Sequence, residues 1–305
     1  MFIFKLSLDT IMKNTAIIGL GSWGKLLLKE FSKISNVVIC MGTGNIKNKK
    51  WLKSNFHNIK YTTNFKEILN NPIIDCVVIA SPINSHFKLA ELALKSNKHV
   101  FIEKPLAENA LQAQKLIKLA TAKKLSTFTG HIFLYHEVFK KLSKLLVNDK
   151  PQFAKFEWNK LGTFNENLFL NLAVHELSII LELFGYPKKI KILDSFGFIT
   201  KHDLVSVQMT FDRDRSCQFN INRLSHEKKK TITVFTKNSI YIWQENRLYK
   251  FNKKLMLFKK IFESKKQPLA VECKEFMKSI DKKQIDKSSK ISLNVLKIID
   301  KNFTR

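Results

Sequence analysis

The feature that most constrains this chain is a glycine-rich turn near its start, set between an apolar strand and a helix. The β-branched stretch 15–18 runs into Gly19, and Gly21 and Gly24 complete the spacing G-x-G-x-x-G. Residues 25–31 then show the apolar periodicity of an amphipathic helix. This order of elements predicts a dinucleotide site, with the pyrophosphate at the N-terminus of the helix. The alternative interpretation is a glycine-rich turn without a ligand, because the spacing alone is weak evidence.

Each glycine has a distinct role in such a turn. Gly19 permits the tight turn, Gly21 lets the backbone approach the pyrophosphate, and Gly24 lets the helix pack close to the strand. Ser22 and Trp23 lie at the start of the helix, where free backbone N–H groups attract negative charge. We therefore expect these five residues to contact the cofactor.

Length and composition limit the remaining possibilities. A chain of 305 residues suggests two domains. We expect a dinucleotide-binding domain at 13–127 and a substrate domain at 128–305, after an extension at 1–12. The cysteines are scattered without metal-ligand spacing, so we expect reduced thiols of a cytoplasmic protein and no metal site. No window approaches about 20 apolar residues, so we expect no membrane-spanning segment.

The formal net charge of +28 raises the hypothesis that the chain binds nucleic acid or an anionic surface. Most of its cations are lysines, however, and they are spread along the whole sequence, whereas the five arginines lie in the second half. Phosphate and base recognition favours clustered arginines. Evenly spread lysines are typical of background composition, so we do not expect a nucleic-acid partner.

The adenosine end of the expected site lies at a second strand, 36–41. An NAD-binding unit carries Asp or Glu near the end of this strand, about 20 residues past the glycines. Here the strand runs into Thr43, and no acidic residue lies between Glu30 and Glu67. Three lysines follow within seven residues of Thr43. A missing carboxylate and nearby cations favour NADP over NAD, with Thr43 beside the 2′-phosphate. The same lysines would also suit a solvated loop.

Polar residues follow the apolar strand predicted at 75–80. Ser81 and Asn84 come directly after it, at the edge where α/β sheets bind ligands. His86 lies one turn further on, at the start of a predicted helix. We include all three among the cofactor-binding candidates, although His86 also suits a structural role near the start of that helix.

The strand predicted at 99–103 also ends in polar residues, with Glu103 followed by Lys104 and Pro105. Pro105 disfavours helical geometry at Lys104 and so fixes the direction of its ammonium group. A lysine at this edge can hydrogen-bond a substrate hydroxyl, and a neighbouring cationic nicotinamide would lower its pKa towards base catalysis. On composition alone, the favoured interpretation of Lys104 is a surface lysine in a lysine-rich chain.

Three motifs together resemble one enzyme family. The segments GLGSWG at 19–24, ASPINSH at 80–86 and FIEKP at 101–105 are similar, at these intervals, to the glucose–fructose oxidoreductase, inositol dehydrogenase and MocA family. The resemblance implies a Rossmann domain, an NAD(P) cofactor, and a catalytic Lys104 that contacts cofactor and substrate, with Glu103 beside it. Members that act on sugar nucleotides in surface-polysaccharide synthesis are the most similar. It therefore also implies a sugar or nucleotide-sugar substrate.

The resemblance continues into the second half of the chain. Segment 129–136 is similar to the entry into the family's second domain, which implies Tyr135 at the substrate. Segment 171–177 lies where members usually show D-x-x-x-H-D, which implies His175 as the acid/base residue. Here Asn171 replaces the first Asp, so its expected role is a hydrogen bond to the substrate and not proton relay. Glu176 replaces the second Asp.

A polar stripe on the helix predicted at 166–184 bears on this assignment. Asn171, His175, Ser178 and Glu182 recur at helical spacing and share one face. By periodicity alone, this face is either the solvent side of the helix or a face turned towards the nicotinamide. The resemblance favours the second interpretation.

These patterns predict an α/β fold with an N-terminal doubly wound parallel Rossmann sheet and a C-terminal α+β domain with a mostly antiparallel open sheet. Helices at 135–147 and 166–184 are expected on one side of that sheet, and two more near 269–280 and 291–303. Such sheets form dimer surfaces in the family, so the resemblance implies a homo-oligomer. Strands are expected at 151–160, 189–195, 204–211, 217–223, 231–235 and 240–243.

The sequence therefore favours an NAD(P)-dependent oxidoreductase that transfers a hydride between a sugar secondary hydroxyl and nicotinamide. Lys104 and His175 would handle the hydroxyl proton. The alternative is a non-catalytic, nucleotide-sensing or nucleic-acid-associated protein that retains the fold.

Overall fold

The structure is a computed structural model that describes residues 12–282 and 285–303. Apart from Met12, the expected extension at 1–12 lies outside the described residues. Over these two ranges, the chain forms two β-sheets and the helices that pack on them. No helix in the described ranges is long and apolar enough to cross a membrane.

Within the described residues, the first unit is a doubly wound sheet of six parallel strands. Its strands are β1 (Asn14–Ile18), β2 (Asn36–Met41), β3 (Lys60–Thr62), β4 (Cys76–Ile79), β5 (His99–Glu103) and β6 (Thr127–Gly130). They lie in the order β3-β2-β1-β4-β5-β6, with neighbouring strands parallel. The strand order reverses between β1 and β4, and open α/β sheets bind ligands beside such a point. The expected Rossmann sheet is confirmed.

Amphipathic helices cover both faces of this sheet. Between residues 12 and 130 they are α1 (Ser22–Phe31), α2 (Ile46–Asn55), α3 (Phe65–Leu69), α4 (Ile83–Lys95) and α5 (Ala110–Ala122). Helix α1 buries Leu27, Leu28 and Phe31 on a single face, as a helix packed on a sheet requires. An asparagine side chain caps the N-terminus of α2, α3 and α5, whereas α1 begins at Gly21 without a side-chain cap.

The second sheet has eight strands within the described part of the chain. They are β7 (Pro151–Leu161), β8 (Lys189–Phe196), β9 (Leu204–Thr210), β10 (Ser216–Asn222), β11 (Leu224–Thr236), β12 (Ile240–Gln244), β13 (Arg247–Asn252) and β14 (Leu257–Glu263). Their order is β14-β13-β12-β11-β7-β10-β9-β8, and only the β7–β10 pair is parallel. The mostly antiparallel open sheet is confirmed. Three strands, β3, β13 and β14, were not expected, because they are short or show no clean alternation of buried residues.

Helices from two parts of the chain pack against the second sheet. A 3₁₀ turn (Ile132–Tyr135) leads into α6 (Glu137–Leu145), and a π-helical turn (Phe169–Ala173) leads into α7 (Val174–Phe184). The last helices are α8 (Pro268–Lys282) and α9 (Lys287–Asn302).

The C-terminal helices connect the two units. Phe276 of α8 packs edge-on against Phe31 and Phe101 of the first unit. Helix α9 contributes Val295 and Ile299 to the core under the second sheet. The expected domain boundary after residue 127 falls inside β6, which pairs with β5, so the chain leaves the first sheet only after Gly130. The division into domains otherwise stays a prediction.

Candidate active site

A cavity of about 890 Å³ lies between the carboxyl edge of the first sheet and the second unit. The ends of β4, β5 and β6 and the start of α1 form its first wall. Strand β7 and the helical segment that contains Asn171 and His175 form the wall opposite. Lys104, Asn171 and His175, which were expected to act on cofactor and substrate, therefore line one space.

The glycine turn has the shape that a pyrophosphate needs. Gly19 has a φ of +96°, and a Cβ there would collide with the Ala80 carbonyl oxygen. A Cβ on Gly24 would collide with the Gly19 carbonyl oxygen. By contrast, no described atom lies within 4 Å of a Cβ built on Gly21, so this position faces open space. Together with the uncapped start of α1, which carries no acidic residue in its first turn, this cradle fits a dinucleotide phosphate.

Trp23 and Glu103 meet at the end of the first wall. Trp23 is 38% exposed and lines the cavity together with the buried Glu103, and its side chain acts to lower the pKa of that carboxyl. Burial raises the pKa of Glu103 to about 7, against the opposing effects of Trp23 and Lys104. A Cβ on Gly130 would lie 3.0 Å from a Glu103 oxygen, so this glycine leaves the carboxyl its room.

The other cofactor candidates differ in where they lie and in what they contact. Ser81 and Asn84 line the cavity, with the Ser81 hydroxyl 2.6 Å from that of Ser85. Thr43 is exposed beyond the end of β2, away from the lining of this cavity. His86 is 2% exposed, and its two ring nitrogens lie 2.8 Å from the carbonyl oxygens of Pro105 and Ser81. With both nitrogens used inside the protein, His86 holds β4 and β5 loops together and has no ring nitrogen left for a cofactor.

Lys104 reaches from the first wall to the second. Its Nζ donates to the backbone carbonyl of Asn171 at 3.0 Å and to the side-chain Oδ1 of Asn171 at 2.9 Å. Burial lowers the pKa of Lys104 below its ordinary value, although Glu103 and Glu166 oppose this shift. An ammonium group has three N–H donors, so one remains for a ligand in the cavity.

His175 lies one helical turn beyond Asn171 and is 7% exposed. Its ring centroid is 5.1 Å from that of Phe133 and 5.5 Å from that of Trp158. Its Nδ1 has no hydrogen-bond partner among the described residues. Burial lowers the pKa of His175 well below its ordinary value, and the positive charges of Lys104 and Lys230 add to this effect. The ring is therefore neutral at pH 7 and has a nitrogen that can accept a proton.

A buried ion pair lies behind this histidine. Lys230 on β11 donates to the carboxylate of Glu176, and both side chains are shielded from solvent. The Lys230 ammonium also lies 3.8 Å from the ring centroid of Trp158 and 4.5 Å from that of Phe133. Glu176 thus neutralises a cation of the second wall, and the pair supports the two aromatic side chains that enclose His175.

The polar stripe on this helix is not a solvent face. Asn171, His175 and Ser178 are all buried, and the Ser178 hydroxyl donates to the His175 carbonyl. The helix begins at residue 168, two residues later than expected, and its first turn is π-helical, a form frequent at functional sites. The prediction that the stripe turns inwards is thereby supported for these three residues, whereas Glu182 pairs with Lys287 of α9 near the surface.

Tyr135 does not lie at the cavity as expected. Its ring stacks on Phe128 with a centroid distance of 5.4 Å, and its hydroxyl is 3.4 Å from the Asp286 carboxylate at the start of α9. Burial raises the pKa of this phenol well above its ordinary value, and the Asp286 carboxylate adds to the effect. The 3₁₀ turn at 132–135 explains the difference, because it points Phe133 and not Tyr135 towards the cavity.

Several lining residues were not anticipated from the sequence. Phe133 and Trp158 provide aromatic surfaces, and Lys160 and the polar run Asn165–Asn167 form the outer part of the second wall. The signal for Trp158 was present, because it alternates with Ala154 and Phe156 on the buried face of β7. The polar run gave none, since polar residues before a helix usually face solvent.

This arrangement suits proton transfer at a hydroxyl or carbonyl group. A neutral imidazole and a partly desolvated ammonium line the same space as Trp23, at the start of helix α1. Aromatic surfaces next to polar groups are typical of small-molecule sites, in which the polar groups fix the orientation of the ligand.

Comparison with known proteins places this site in context. Residues 13–131 match the model of the Gfo/Idh/MocA family, described as an oxidoreductase family with an NAD-binding Rossmann fold. Among curated relatives, UDP-N-acetylglucosamine 3-dehydrogenase of Acidithiobacillus ferrooxidans is 25% identical over 168 residues, covering 53% of each chain. The matched segments span 41% to 53% of the length of three of these curated relatives and 63% of a fourth.

Solved structures show the same fold over nearly the whole chain. The UDP-N-acetylglucosamine 3-dehydrogenase from Acidithiobacillus ferrooxidans has a TM-score of 0.86 at 20% identity, covering 94% of this chain and 95% of its own. A biliverdin reductase from Synechocystis, solved with biliverdin and NADP⁺, has a TM-score of 0.79 at 18% identity, covering 94% and 96%. Residues 13–131 of this chain are therefore similar to the NAD-binding Rossmann domain of the Gfo/Idh/MocA family of oxidoreductases.

Proposed function

We propose that the protein is an NAD(P)-dependent dehydrogenase that transfers a hydride between a secondary hydroxyl carbon of a sugar and nicotinamide. The observation that carries the proposal is the meeting of Lys104 and His175 across one cavity. That cavity also contains the start of helix α1, where the uncapped N–H groups suit a pyrophosphate. The family of the first domain and the glycine cradle support the cofactor class.

The residues of the cavity divide the work between proton transfer and orientation. When bound, the nicotinamide supplies the hydride acceptor or donor. In the oxidation direction, His175 accepts the hydroxyl proton on its neutral ring as the carbonyl forms, and in the reverse direction it returns that proton. Lys104, fixed by two bonds to Asn171, directs its remaining N–H to the reacting oxygen, where negative charge develops.

For the substrate, we propose a nucleotide-linked sugar. The aromatic faces of Phe133 and Trp158 suit the apolar side of a sugar ring, while the remaining polar lining suits its hydroxyls. Lys160 lines the cavity and forms no salt bridge with another described residue. An unneutralised lysine at this position suits the diphosphate of a sugar nucleotide, since it gains a partner that a neutral polyol does not offer.

The experiment is a cofactor and substrate screen with purified protein. NADPH fluorescence should change on binding, and NAD⁺ or NADP⁺ should be reduced with UDP-N-acetylglucosamine or UDP-glucose faster than with myo-inositol. Lys160→Gln should raise the KM for the UDP-sugars about tenfold, as loss of one charge-assisted bond predicts, and leave that for myo-inositol unchanged. The proposal fails if neither cofactor binds. A salt-dependent shift of duplex DNA without cofactor binding would favour the nucleic-acid alternative.

We also propose that the chain forms a homo-oligomer through its second sheet and works in the cytoplasm. Apolar side chains more than a third exposed lie along the edge strands β8 and β14, among them Phe196 at 56% and Phe258 at 41%. Such exposed apolar surface is typical of an interaction face. The four cysteines are buried and free, in keeping with a reducing compartment. Light scattering after size exclusion tests the oligomer, and a monomer at all concentrations would contradict it.

A further inference from the structure

Arg223 is an unusual residue for this chain. Only five of its 53 lysine and arginine residues are arginines, yet the largest side chain among the fully buried ones is Arg223, which is 2% exposed. It lies between β10 and β11, and it does not line the cavity. A buried guanidinium is costly unless all its donors are used, so its contacts show what it holds in place.

The guanidinium joins two loops. Its Nε donates to the Asp203 carboxylate at 3.0 Å, and its Nη2 donates to the Thr200 hydroxyl. Its Nη1 donates to the carbonyl oxygens of Thr163 at 2.9 Å and Glu166 at 2.8 Å. One planar group therefore ties the loop 198–203 to the loop 162–167, and the second of these carries the polar part of the cavity wall.

Asp203 holds the guanidinium in place through a buried ion pair. Its carboxylate also accepts the backbone N–H groups of Phe198 at 2.8 Å, Ile199 at 2.5 Å and Thr200 at 2.9 Å. Burial alone would raise the pKa of Asp203, but these hydrogen bonds hold it below its ordinary value. The acid is thus ionised at working pH, and Arg223 has a fixed anionic partner that does not line the cavity.

The loop that Arg223 holds is followed in the chain by Asn171, which binds Lys104. Asn167 follows Glu166, and its side-chain Oδ1 accepts the N–H groups of Phe169 at 2.9 Å and Leu170 at 3.2 Å. The backbone carbonyl of Asn167 accepts the N–H of Asn171 at 2.9 Å. Asn167 therefore caps the π-helical turn and sets the position of Asn171, which binds Lys104 through both of its oxygens.

We propose that Arg223 is a positioning residue of the active site. By holding the carbonyls of Thr163 and Glu166, it fixes the loop 162–167, and through Asn167 it fixes the two acceptors that orient Lys104. Lysine cannot replace it, because a single ammonium point charge can reach Asp203 but cannot span two loops with a planar fork of donors. The inference rests on the proposed function only for the role of Lys104, since the loop anchoring is independent of the reaction.

The test compares Arg223→Lys with Arg215→Lys as a matched control. Arg215 also donates to two backbone carbonyls, those of Asp212 and Phe184, at another end of the same sheet. Arg223→Lys should lower kcat about 10- to 100-fold, as misplaced catalytic groups do, with NADPH affinity unchanged. Amide hydrogen exchange at 163–173 should accelerate, while exchange in β1 and β4 stays as in the wild type. Arg215→Lys should leave kcat and the exchange at 163–173 unchanged.

Two outcomes would overturn the proposal. One is a folded Arg223→Lys variant with wild-type kcat and wild-type exchange at 163–173. The other is a uniform rise in exchange with kcat unchanged below the melting temperature, which a purely structural role predicts. If Arg223→Lys does not fold, Asn167→Ala removes the cap without touching the buried pair and should reproduce both effects. If the wild type turns over none of the tested sugars, the proposed function fails, and the exchange measurement still decides the anchoring of the loop.

Discussion

The two walls of the cavity differ in how the chain builds them. On the first wall, several site residues lie at or just after the ends of strands of one parallel sheet, as Ser81 does after β4 and Lys104 after β5. On the second wall, Asn171 and His175 lie on one helix whose start is fixed by Arg223, from a distant part of the chain. The first wall is organised by short motifs and the second by long-range contacts.

The difference has a physical cause. Parallel strands align their carboxyl ends at one edge, so a polar residue after an apolar strand is placed by the sheet itself. A helix in the second unit has no such default, because its rotation and its depth depend on what packs around it. Here the buried ion pair of Lys230 with Glu176 and the hydrogen bonds of the Arg223 guanidinium fix the rotation and depth of the helix. As a consequence, substitutions far from the cavity should disturb the geometry of the first wall less than that of the second.

The largest expected effect tests whether the two walls act as one unit. Lys104→Met and His175→Ala should each lower kcat by about 10²–10⁴-fold, since each removes a positioned proton-transfer group. The double variant should lose clearly less than the product of the single losses, because residues that act together are not additive. The measurement is steady-state turnover with the sugar nucleotide that the screen identifies, alongside NADPH affinity.

The control for Lys104 is Lys98, which flanks the same strand at its other end. Lys98 precedes β5 at the opposite edge of the sheet, and its ammonium donates to the carbonyls of Asn71 at 2.7 Å and Ile74 at 2.8 Å. Lys98→Met should therefore lower stability and leave kcat unchanged. Wild-type turnover in Lys104→Met would contradict a role of the first wall in proton transfer. Wild-type turnover in His175→Ala would contradict such a role for the second wall.

The next effect separates the two structural roles within the glycine motif. Gly21→Asp places a carboxylate in the open cradle against the pyrophosphate, and an unpaired like charge costs several kcal/mol. NADPH affinity should fall about 100-fold or more, with little change in melting temperature. Gly24→Ala should instead destabilise the fold, because its Cβ meets the Gly19 carbonyl oxygen. Fluorescence titration and thermal unfolding measure the two, and unchanged affinity in Gly21→Asp would place the nucleotide elsewhere.

The same contrast explains how far the sequence could predict the molecule. The strand bounds at 36–41, the helix at 65–69 and the parallel sheet were predictable, because apolar runs and turn residues mark them locally. Lys104 at the ligand edge was predictable for the same reason. The inward orientation of His175 was supported by a family resemblance, since its helical period suits a solvent face equally well.

The remaining features depend on contacts that no local pattern encodes. Tyr135 was expected at the substrate, but the 3₁₀ turn places Phe133 there. His86 was expected at the cofactor, but two carbonyls occupy its ring. Arg223 carried one signal, its rarity in a lysine-rich chain, yet its partners lie in loops 20 to 60 residues away.

One residue of the first wall, Glu103, also depends on a distant helix, which is an exception to the contrast between the two walls. Glu103 is buried near Glu272 of α8, whose two carboxyl oxygens have no hydrogen-bond partner among the described residues. Burial raises the pKa of Glu272 well above its ordinary value, and the Glu103 carboxyl adds to it. Both carboxyls are thus easiest to bury protonated.

The sign of the pH effect follows from these raised pKa values. The contribution of the protonated Glu103 carboxyl to the free energy of unfolding is complete below pH 4.5. It is lost as the pH rises through about 7, because this carboxyl ionises at a lower pH in the unfolded chain than in the folded one. Glu272→Gln should therefore raise the free energy of unfolding at pH 8 and change it little at pH 4, because the amide needs no proton to stay neutral in the buried site.

The matched control for this variant lies on the same helix. Glu275 pairs with Lys278 at 3.0 Å on the surface of α8, so Glu275→Gln should change stability by less than about 1 kcal/mol at either pH. Denaturant unfolding at pH 4 and pH 8 is the measurement. Equal stability changes at both pH values for Glu272→Gln would show that the buried carboxyl pair does not set the pH dependence.

The smallest effect tests the turn after β2, which lies at the end of a strand of the first sheet and outside the cavity lining. Thr43 is exposed there, and the following Gly44 N–H donates to the Tyr61 hydroxyl at 2.9 Å, while Lys49 lies 5.8 Å from the Tyr61 ring centroid. The turn therefore combines a hydroxyl and a cation without a carboxylate, which favours a 2′-phosphate over a free ribose. NADP should bind at least as well as NAD. Thr43→Asp should shift the ratio about tenfold or more towards NAD, since one charge-assisted bond changes sides. In the control variant Thr43→Asn, the side chain has nearly the shape of aspartate but no charge, so the ratio of NADP to NAD affinity should stay unchanged. A wild type that strongly prefers NAD, or an equal shift in both variants, would show that charge at this turn does not select the cofactor.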